Sequence, residues 1–248
     1  MSRALWVVVG VVLIAVGVLG VISWTSNLDR ETSTETFEGV TEFVFDVENS
    51  SIELVGGEGE LVVDSSFTTG FLGGSVALDR SGETVTLTQQ CPLFIGFGCK
   101  AAFEVVVPAG TDVSGSTSNG AISAVGLDSP LEATTSNGAV ALEGLSANTS
   151  VATSNGAITG TVLSTIELDA RTSNGRIELT FVEPPETVSL RTSNGAVTVV
   201  LPEDSPPYAL TTSTSNGTVD APVRTDPAAS ATIDVETSNG DITIEYGG

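Results

Sequence analysis

The tetrapeptide Thr-Ser-Asn-Gly occurs seven times in the C-terminal half of this chain. The glycines of successive copies lie 18, 18, 19, 20, 22 and 23 residues apart. A fixed turn that recurs at such a period is typical of a solenoid, in which each repeat forms one rung of a stack. The predicted column of turns consists of Asn119, Gly120, Asn137, Gly138, Asn155, Gly156, Asn174, Gly175, Asn194, Gly195, Asn216, Gly217, Asn239 and Gly240.

Apolar residues hold fixed positions on both sides of each repeated glycine. The residue two positions after it is always apolar, and the residue seven positions before it is apolar in six of seven copies. Polar residues alternate with them, which indicates two short strands per repeat, each with one buried face. The positions align from repeat to repeat rather than across the turns. This favours an all-β, right-handed parallel β-solenoid of the β-helix or β-roll type, with rungs of 18 to 23 residues.

The Asn-Gly pair predicts a sharp corner, because both residues tolerate a positive φ. If neighbouring rungs lie about 4.8 Å apart, the asparagines form one file and their amides can hydrogen-bond along it. Thr117 and its equivalents would form a second, inward-leaning file. That file predicts an internal polar ladder that fixes register, or alternatively a flat ligand face for ice or sugar.

Acidic residues surround the last copy of the repeat, where most other rungs have Ala, Ser or Thr. On an exposed edge strand such charges would discourage end-to-end stacking of molecules. We therefore expect this rung to be the end of the solenoid. The residues are Asp234, Glu236, Asp241 and Glu245.

Tandem Thr-Ser-Asn-Gly rungs that follow a strand ending in Val-Pro-Ala-Gly resemble the putative-adhesin β-solenoid domains of unknown function. The matching strand here ends at Val107-Pro108-Ala109-Gly110, and the first repeat follows closely. Earlier, the segment 47–54 resembles a degenerate rung with Ser50 where a glycine usually lies. The resemblance covers roughly residues 38 to 246. It implies a cell-surface β-solenoid, and it brings no catalytic motif.

Residues Ala4 to Trp24 form an uncharged, mostly aliphatic run of 21 residues. As a helix it would span about 31 Å, which matches a hydrocarbon core of roughly 30 Å. Trp6 and Trp24 lie near its ends, where interfacial aromatic residues are common. This predicts an uncleaved transmembrane signal anchor; the alternative is a cleaved signal peptide, whose apolar region is usually shorter. Arg3 precedes the run, which places the N-terminus in the cytoplasm and the rest of the chain outside.

These features divide the chain into four parts. Residues 1–24 are the predicted transmembrane anchor, and residues 25–37 are a Ser/Thr-rich polar tether. Residues 38–110 form an N-terminal β region with a disulfide loop and capping rungs, and residues 111–248 form the Thr-Ser-Asn-Gly solenoid.

Two kinds of residue in the chain could be modified outside the cell. Cys91 and Cys99 flank a short apolar segment and should form a disulfide in an oxidising space. Without any histidine, the two cysteines are a poor basis for a zinc site. Asn49, Asn148 and Asn216 each begin an Asn-X-Ser/Thr triplet, which makes them candidate glycosylation sites.

The charge balance is strongly acidic, with 31 Asp and Glu against 8 Lys and Arg and a net charge of −23. Such self-repulsion is tolerated when salt screens it, since the Debye length falls to about 3 Å at 1 M. The composition therefore fits an extreme halophile; the alternative is an acidic surface that recruits divalent cations. It argues against a nucleic-acid partner.

Catalysis lacks its usual side chains, because a chain without histidine cannot form a Ser-His-Asp or Cys-His arrangement. Its carboxylates are spread along the chain instead of recurring at one rung position, so we predict no enzyme. Arg171 and Arg191 directly precede two consecutive repeats and should stack side by side, with Arg176 nearby. They predict a small-anion or glycan contact, or alternatively local neutralisation by neighbouring acids. Those acids are Asp169, Glu178 and Glu183.

The function indicated by these features is that of a membrane-anchored extracellular β-solenoid. It would act without catalysis, as an adhesin or a structural protein that contacts surface polymers or protein partners. An alternative is an envelope sensor or regulatory ectodomain that acts through a partner membrane protein. A third possibility, an envelope polysaccharide-processing enzyme, would need a cleft with convergent carboxylates. No cofactor is predicted.

Overall fold

The computed structural model describes residues 30–68, 75–90 and 100–247. Every regular element in these residues is a β-strand. The strands are β1 (Arg30–Phe37), β2 (Glu42–Val47), β3 (Ser51–Gly57), β4 (Leu61–Thr68), β5 (Ser75–Ser81), β6 (Thr84–Gln90), β7 (Lys100–Pro108), β8 (Asp112–Thr117), β9 (Ile122–Val125), β10 (Leu131–Thr135), β11 (Val140–Glu143), β12 (Thr149–Thr153), β13 (Ile158–Leu163), β14 (Glu167–Arg171), β15 (Ile177–Phe181), β16 (Thr187–Asn194), β17 (Val197–Leu201), β18 (Ala209–Asn216), β19 (Val219–Asp220), β20 (Thr232–Asn239) and β21 (Ile242–Tyr246).

The strands form two sheets, and each rung contributes one strand to each sheet. The eleven-stranded sheet has the order β1-β4-β7-β3-β9-β11-β13-β15-β17-β21-β19. The ten-stranded sheet has the order β18-β20-β16-β14-β12-β10-β8-β2-β6-β5. Neighbouring strands are parallel from β3 and β2 onwards, and antiparallel pairs occur only at β1–β4, β4–β7 and β5–β6 among the described strands. The predicted all-β, solenoid-like stacking of rungs is confirmed.

The core lies between the sheets and is built from files of equivalent residues. Val140 pairs with Ile122 on one side and Ile158 on the other, and Leu131 pairs with Val113 and Thr149. Burying a Val, Ile or Leu side chain contributes about 1.5–3 kcal/mol, so the period-2 pattern fixes which face of each strand points inwards. The fully buried residues two positions after a repeated glycine are Ile122, Val140, Ile158, Ile177, Val197 and Ile242.

The spatial order of the rungs differs from their order in the sequence. Strand β20 lies between β16 and β18, and β21 lies between β17 and β19. The last repeat is therefore inserted between the rungs of Gly195 and Gly217, and the Gly217 rung is the end of the stack. The expectation that the last copy forms the end rung is wrong. Because all rungs carry the same repeat, the repeat itself does not favour one order over the other.

The acidic residues around the last repeat consequently serve a different purpose. Asp234 and Glu236 lie on β20 inside the sheet and pair with Arg191 of the preceding rung, with N–O distances of 3.0 and 3.7 Å. Asp241 accepts hydrogen bonds from the backbone N–H and the hydroxyl of Thr218 at 2.7 and 2.8 Å. These two hydrogen bonds, the backbone one first, lower the pKa of the Asp241 carboxyl. The acids link the inserted rung to both of its neighbours.

The end rung of the stack carries its own polar cap. Thr212 occupies the inward position at which β20 has Val235 and β16 has Leu190. Beyond β19, Ala221 and Val223 pack against the core. A terminal rung with polar inward positions and a covering segment is typical of solenoid ends, which would otherwise expose the core.

Arg224 ties this end of the molecule together, and nothing in the repeat pattern singles it out. Its backbone N–H donates to the Tyr246 hydroxyl at 2.9 Å, and its guanidinium lies over the Tyr246 ring, 5.5 Å from the centroid. The same guanidinium donates to the backbone carbonyls of Glu203, at 2.7 Å, and Ser205. One side chain thus joins the β17–β18 connection, the β19–β20 connection and the last strand.

Part of the predicted polar tether is a strand. Residues 30–37 form β1, which pairs antiparallel with β4 at the edge of the eleven-stranded sheet, from Arg30 opposite Thr68 to Phe37 opposite Leu61. The prediction of a tether up to residue 37 is wrong over this range. Ser/Thr-rich composition suggested a linker, but threonine also suits an edge strand that has solvent on its outer face.

A second column of turns follows the strands of the eleven-stranded sheet. Gly126 and Gly144 lie six positions after their repeat glycines and have φ values of 63° and 64°. Val162 occupies the same position in the next rung, with φ 56°, and is the only non-glycine residue with positive φ in the described residues. It lies in a bulge of β13, where the register with β15 shifts. A β-branched residue in this conformation is strained by about 1–3 kcal/mol.

Replacing Val162 with glycine should therefore stabilise the protein by about 1 kcal/mol, because the relief of strain exceeds the entropic cost of glycine. Chemical denaturation of the full chain measures this change. Val182→Gly is the matched control, since that valine is also half exposed but does not have a positive φ. The control should lose stability. A Val162→Gly variant that is less stable than the parent would contradict the strained, positive-φ conformation described for Val162.

Candidate functional site

The Thr-Ser-Asn-Gly corner is held by a threonine ladder inside the stack. Thr135 Oγ1 donates to the carbonyl of Gly120 in the preceding rung at 3.0 Å and accepts from the N–H of Gly138 at 3.1 Å. The same threonine-to-carbonyl bond, at 2.9–3.0 Å, recurs in the later rungs. It is made by Thr153, Thr172, Thr192, Thr214 and Thr237. Most of these threonines are buried, so they do not form an outward-facing ligand surface.

The repeated glycine is required for a reason other than the predicted one. A Cβ atom on Gly175 would lie 1.8 Å from the carbonyl oxygen of Gly156, and one on Gly156 would lie 1.8 Å from that of Gly138. None of the seven repeat glycines has a positive φ. The prediction of a positive φ at this corner is therefore wrong. Glycine is needed because successive backbones approach too closely for any side chain.

The asparagines of the repeat form an exposed ladder along the same corner. Each Nδ2 donates to the Oδ1 of the neighbouring asparagine at 2.6–3.0 Å. The ladder follows the rungs in space, so Asn239 donates to Asn194 and Asn216 donates to Asn239. Asn49 extends it at the other end by accepting from Asn119. Asn148, the third candidate glycosylation site, is exposed and donates to Glu167 at 3.3 Å.

Ser50 completes the degenerate rung that the sequence suggested. A Cβ on Gly120 would lie 1.6 Å from the Ser50 carbonyl oxygen, so Ser50 takes the place of the glycine in the column. Its buried hydroxyl bonds to Gln89 and accepts from the N–H of Ala101 at 3.0 Å. Cys91, Cys99 and the predicted anchor lie outside the described residues, so these stay predictions.

The three candidate arginines each have a carboxylate partner. Arg171 and Arg191 pair in register on neighbouring strands, as expected. Arg171 pairs with Asp169 at 2.7 Å, Arg176 pairs with Glu178 at 2.9 Å, and Arg191 pairs with two acids of β20. An anion that binds here has to compete with these carboxylates. The glycan contact accordingly stays a prediction.

Two shallow grooves lie on the outer faces of the sheets. One of about 590 Å³ on the ten-stranded sheet is lined by several acids together with Asn148 and Arg171. The other, of about 510 Å³, includes Glu53, Glu104 and Asp64, which are neighbours across adjacent strands. In the described ranges no group of three or more His, Cys, Asp or Glu residues is placed to hold a metal ion. The same ranges contain no helix long and apolar enough to span a membrane.

Salt should stabilise this fold, because 8 basic residues cannot pair with 31 acids. Among the described residues most carboxylates are exposed, and ion pairs involve Asp169, Glu178, Asp234 and Glu236. We expect the thermal midpoint of the full chain to rise markedly between low and molar KCl as screening increases. A neutral osmolyte at matched osmolality controls for general exclusion effects. A midpoint that does not change with KCl would contradict the role of charge repulsion.

Parallel rungs joined by threonine and asparagine ladders define an all-β, solenoid-like fold. Residues 108–245, a little over half of the chain, match the model of the Toastrack DUF4097 family, and the chain belongs to that family.

Similar solved structures share little sequence with this chain. One is described as a "putative cell adhesion protein" from Clostridium sporogenes, with 14% identity, a TM-score of 0.44, and 88% of this chain and 100% of that chain covered. Another is a "putative adhesin" from Bacteroides fragilis, with 11% identity, a TM-score of 0.47, and 89% and 98% covered. A third is a "putative lipid binding protein" from Parabacteroides distasonis, with 11% identity, a TM-score of 0.37, and 90% and 98% covered. A comparison with curated proteins finds no match.

Proposed function

We propose that the protein is a membrane-anchored, outward-facing β-solenoid that contacts surface polymers or protein partners without catalysis. The observation that carries the proposal is the regular array of outward-facing side chains. On the eleven-stranded sheet, Ser123, Ala141 and Thr159 are neighbours on consecutive rungs. Parallel strands hold such rows about 4.8 Å apart, which makes a rigid and repetitive contact surface.

The rigidity of this surface comes from the ladders at the corners. Each rung is bonded to the next through strand hydrogen bonds, a threonine hydroxyl and an asparagine amide, so outward side chains keep fixed spacings. A preorganised surface binds without the entropic cost of ordering its backbone. This property suits adhesion or structural contact. A single-pass anchor would place the array outside the cell, where other surface polymers are in reach.

The location can be tested with a membrane-impermeant thiol reagent on intact cells that express the full chain. Ser150→Cys should be labelled, because Ser150 is exposed on the ten-stranded sheet. Val151→Cys is the matched control. Val151 follows Ser150 and is buried, so a cysteine at this position should be labelled only after unfolding. Labelling of Ser150→Cys only after cell lysis would contradict an outward-facing domain.

The contact function is tested by comparing cells that display the full chain with cells that display the anchor alone. We expect the full chain to increase cell–cell or cell–surface adhesion in high salt. Equal adhesion of the two cell types, with the domain labelled at the surface, would contradict a direct adhesive role. That result would favour the envelope sensor that acts through a partner membrane protein.

A further inference from the structure

Three exposed aliphatic residues lie at the corner opposite the asparagine ladder. Val162 is 51% exposed, Ile166 is 55% exposed and Val182 is 50% exposed. Val162 and Ile166 lie on the rung of Gly156, on either side of the buried Leu163 and Thr165. The N–H of Val182 on the next rung donates to the Leu163 carbonyl at 2.8 Å. We call these three residues the Val162 patch.

Each residue of the patch has a small residue at the corresponding position of the rung that precedes its own. The strand register places Gly144 beside Val162, and extends to Ala147 beside Ile166. In the same way Ser164 lies beside Val182. The large apolar side chains are therefore particular to this corner of two rungs and do not follow from the repeat.

The backbone conformation of Val162 is a second, independent indication that the patch has a function. The corner requires a left-handed residue, and the two preceding rungs supply glycine at no steric cost. Valine keeps the same conformation here and leaves its side chain in solvent, so neither packing nor turn geometry accounts for it. Strain that is retained at an exposed position indicates a function for the side chain.

The charges around the patch indicate the chemistry of its partner. Glu183 directly follows Val182, and the N–H of Glu186 donates to the Ile166 carbonyl. Both glutamates are exposed, and neither forms an ion pair within the described residues. Anionic lipid surfaces attract basic segments and would be repelled by this rim. A second copy of the chain would bring the same acids against each other. A partner with basic residues around an apolar centre is complementary both to the aliphatic patch and to its acidic rim.

We propose that the Val162 patch is the anchor of a docking site for a protein segment that presents apolar side chains flanked by Arg or Lys. This inference rests on the proposed surface-contact function and specifies one partner class for it. Three half-exposed side chains cover much less than the roughly 800 Å² per partner of a standard interface. The patch therefore acts as the buried centre of a larger contact, in which a few apolar residues dominate the affinity.

The test is a titration of the full-length chain, with labelled Ile and Val methyl groups, followed by NMR. The probe is a short peptide with a leucine centre and arginine flanks. We expect it to shift the methyl signals of the Val162 patch. The Ile166→Thr/Val182→Thr double variant should bind it about tenfold more weakly or worse, because the apolar centre dominates. Val219→Thr is the matched control, an exposed valine at the end of the stack, and should bind as the parent does.

Three results would overturn the proposal. A peptide with a serine centre and arginine flanks could bind equally well, which would leave only charge attraction. A peptide with leucine centre and glutamate flanks could bind equally well, which would remove the role of the acidic rim. Anionic lipid vesicles could shift the same methyl groups in place of the peptide, which would identify a membrane surface.

The titration remains informative if the double variant does not fold, and its result does not depend on the location of the protein. If the double variant fails to fold, Val162→Gly removes one side chain of the patch and is expected to be more stable than the parent; it should also weaken binding. Because the titration does not depend on where the protein lies in the cell, its failure does not affect the labelling test of location. Inside-facing protein that still binds the peptide would contradict the proposed function while leaving the docking site supported.

Discussion

Gly175→Asn should destabilise the solenoid by about 4 kcal/mol or more, whereas Gly144→Asn should change its stability by about 1 kcal/mol or less. The Cβ of residue 175 would lie 1.8 Å from the Gly156 carbonyl oxygen. That carbonyl cannot move aside without losing the 3.0 Å hydrogen bond from Thr172. Gly144 has φ 64° and no atom closer than 3.9 Å to an added Cβ, and asparagine tolerates this conformation.

The two variants carry the same substitution, so the comparison separates close approach from backbone conformation. Denaturant unfolding of the full chain in high salt gives both free energies. If a positive φ were what each corner requires, asparagine would be tolerated equally at both glycines. Similar stabilities of the two variants would therefore contradict the steric explanation of the repeat.

Removing residues 231–248 takes away the inserted rung and should also disorder the Gly217 rung. Strands β18 and β19 have β20 and β21 as their strand partners, and truncation removes both. The Gly217 rung would then lose its contact with the stack, and the core beside β16 and β17 would be exposed. We expect amide hydrogen exchange to show loss of protection over residues 209–220, together with a loss of stability of several kcal/mol.

An internal deletion provides the matched control for this truncation. Deleting residues 138–155 removes 18 residues, one period of the repeat, and rejoins Asn137 to Gly156 in register. Since each rung mainly contacts its neighbours, the shortened stack should still fold. A truncated protein that keeps both its stability and its protection over residues 209–220 would contradict the inserted position of the last rung.

The strands and the core could be predicted because their signal is local and repeated. Period-2 alternation fixed the inward residues, and buried files such as Ile122, Val140 and Ile158 follow from it. The degenerate rung at Ser50 could be recognised for the same reason. Composition gave a weaker signal, and it led to a tether where β1 pairs with an open sheet edge.

The order of the rungs could not be predicted, because the Thr-Ser-Asn-Gly corner is the same in every rung and does not by itself select a neighbour. What distinguishes the observed order lies outside the repeat, in Arg224 and in the pairing of Arg191 with Asp234 and Glu236. The strain at Val162 could not be predicted from the sequence alone. Alignment of the positions six residues after each glycine shows Gly126, Gly144 and then valine, but the signal is meaningful only once positive φ is known there.

The insertion of the last rung is tested most directly by engineered disulfides in the full chain. Thr198 and Thr243 are paired on β17 and β21, so Thr198→Cys with Thr243→Cys should form a bond under mild oxidation. Thr198→Cys with Asp220→Cys should not, because β21 lies between them and two strand spacings amount to about 9.6 Å. Peptide mapping without reduction identifies the linked residues. A 198–243 link without a 198–220 link is the expected result, and a 198–220 link in place of it would contradict the fold described for this end of the molecule.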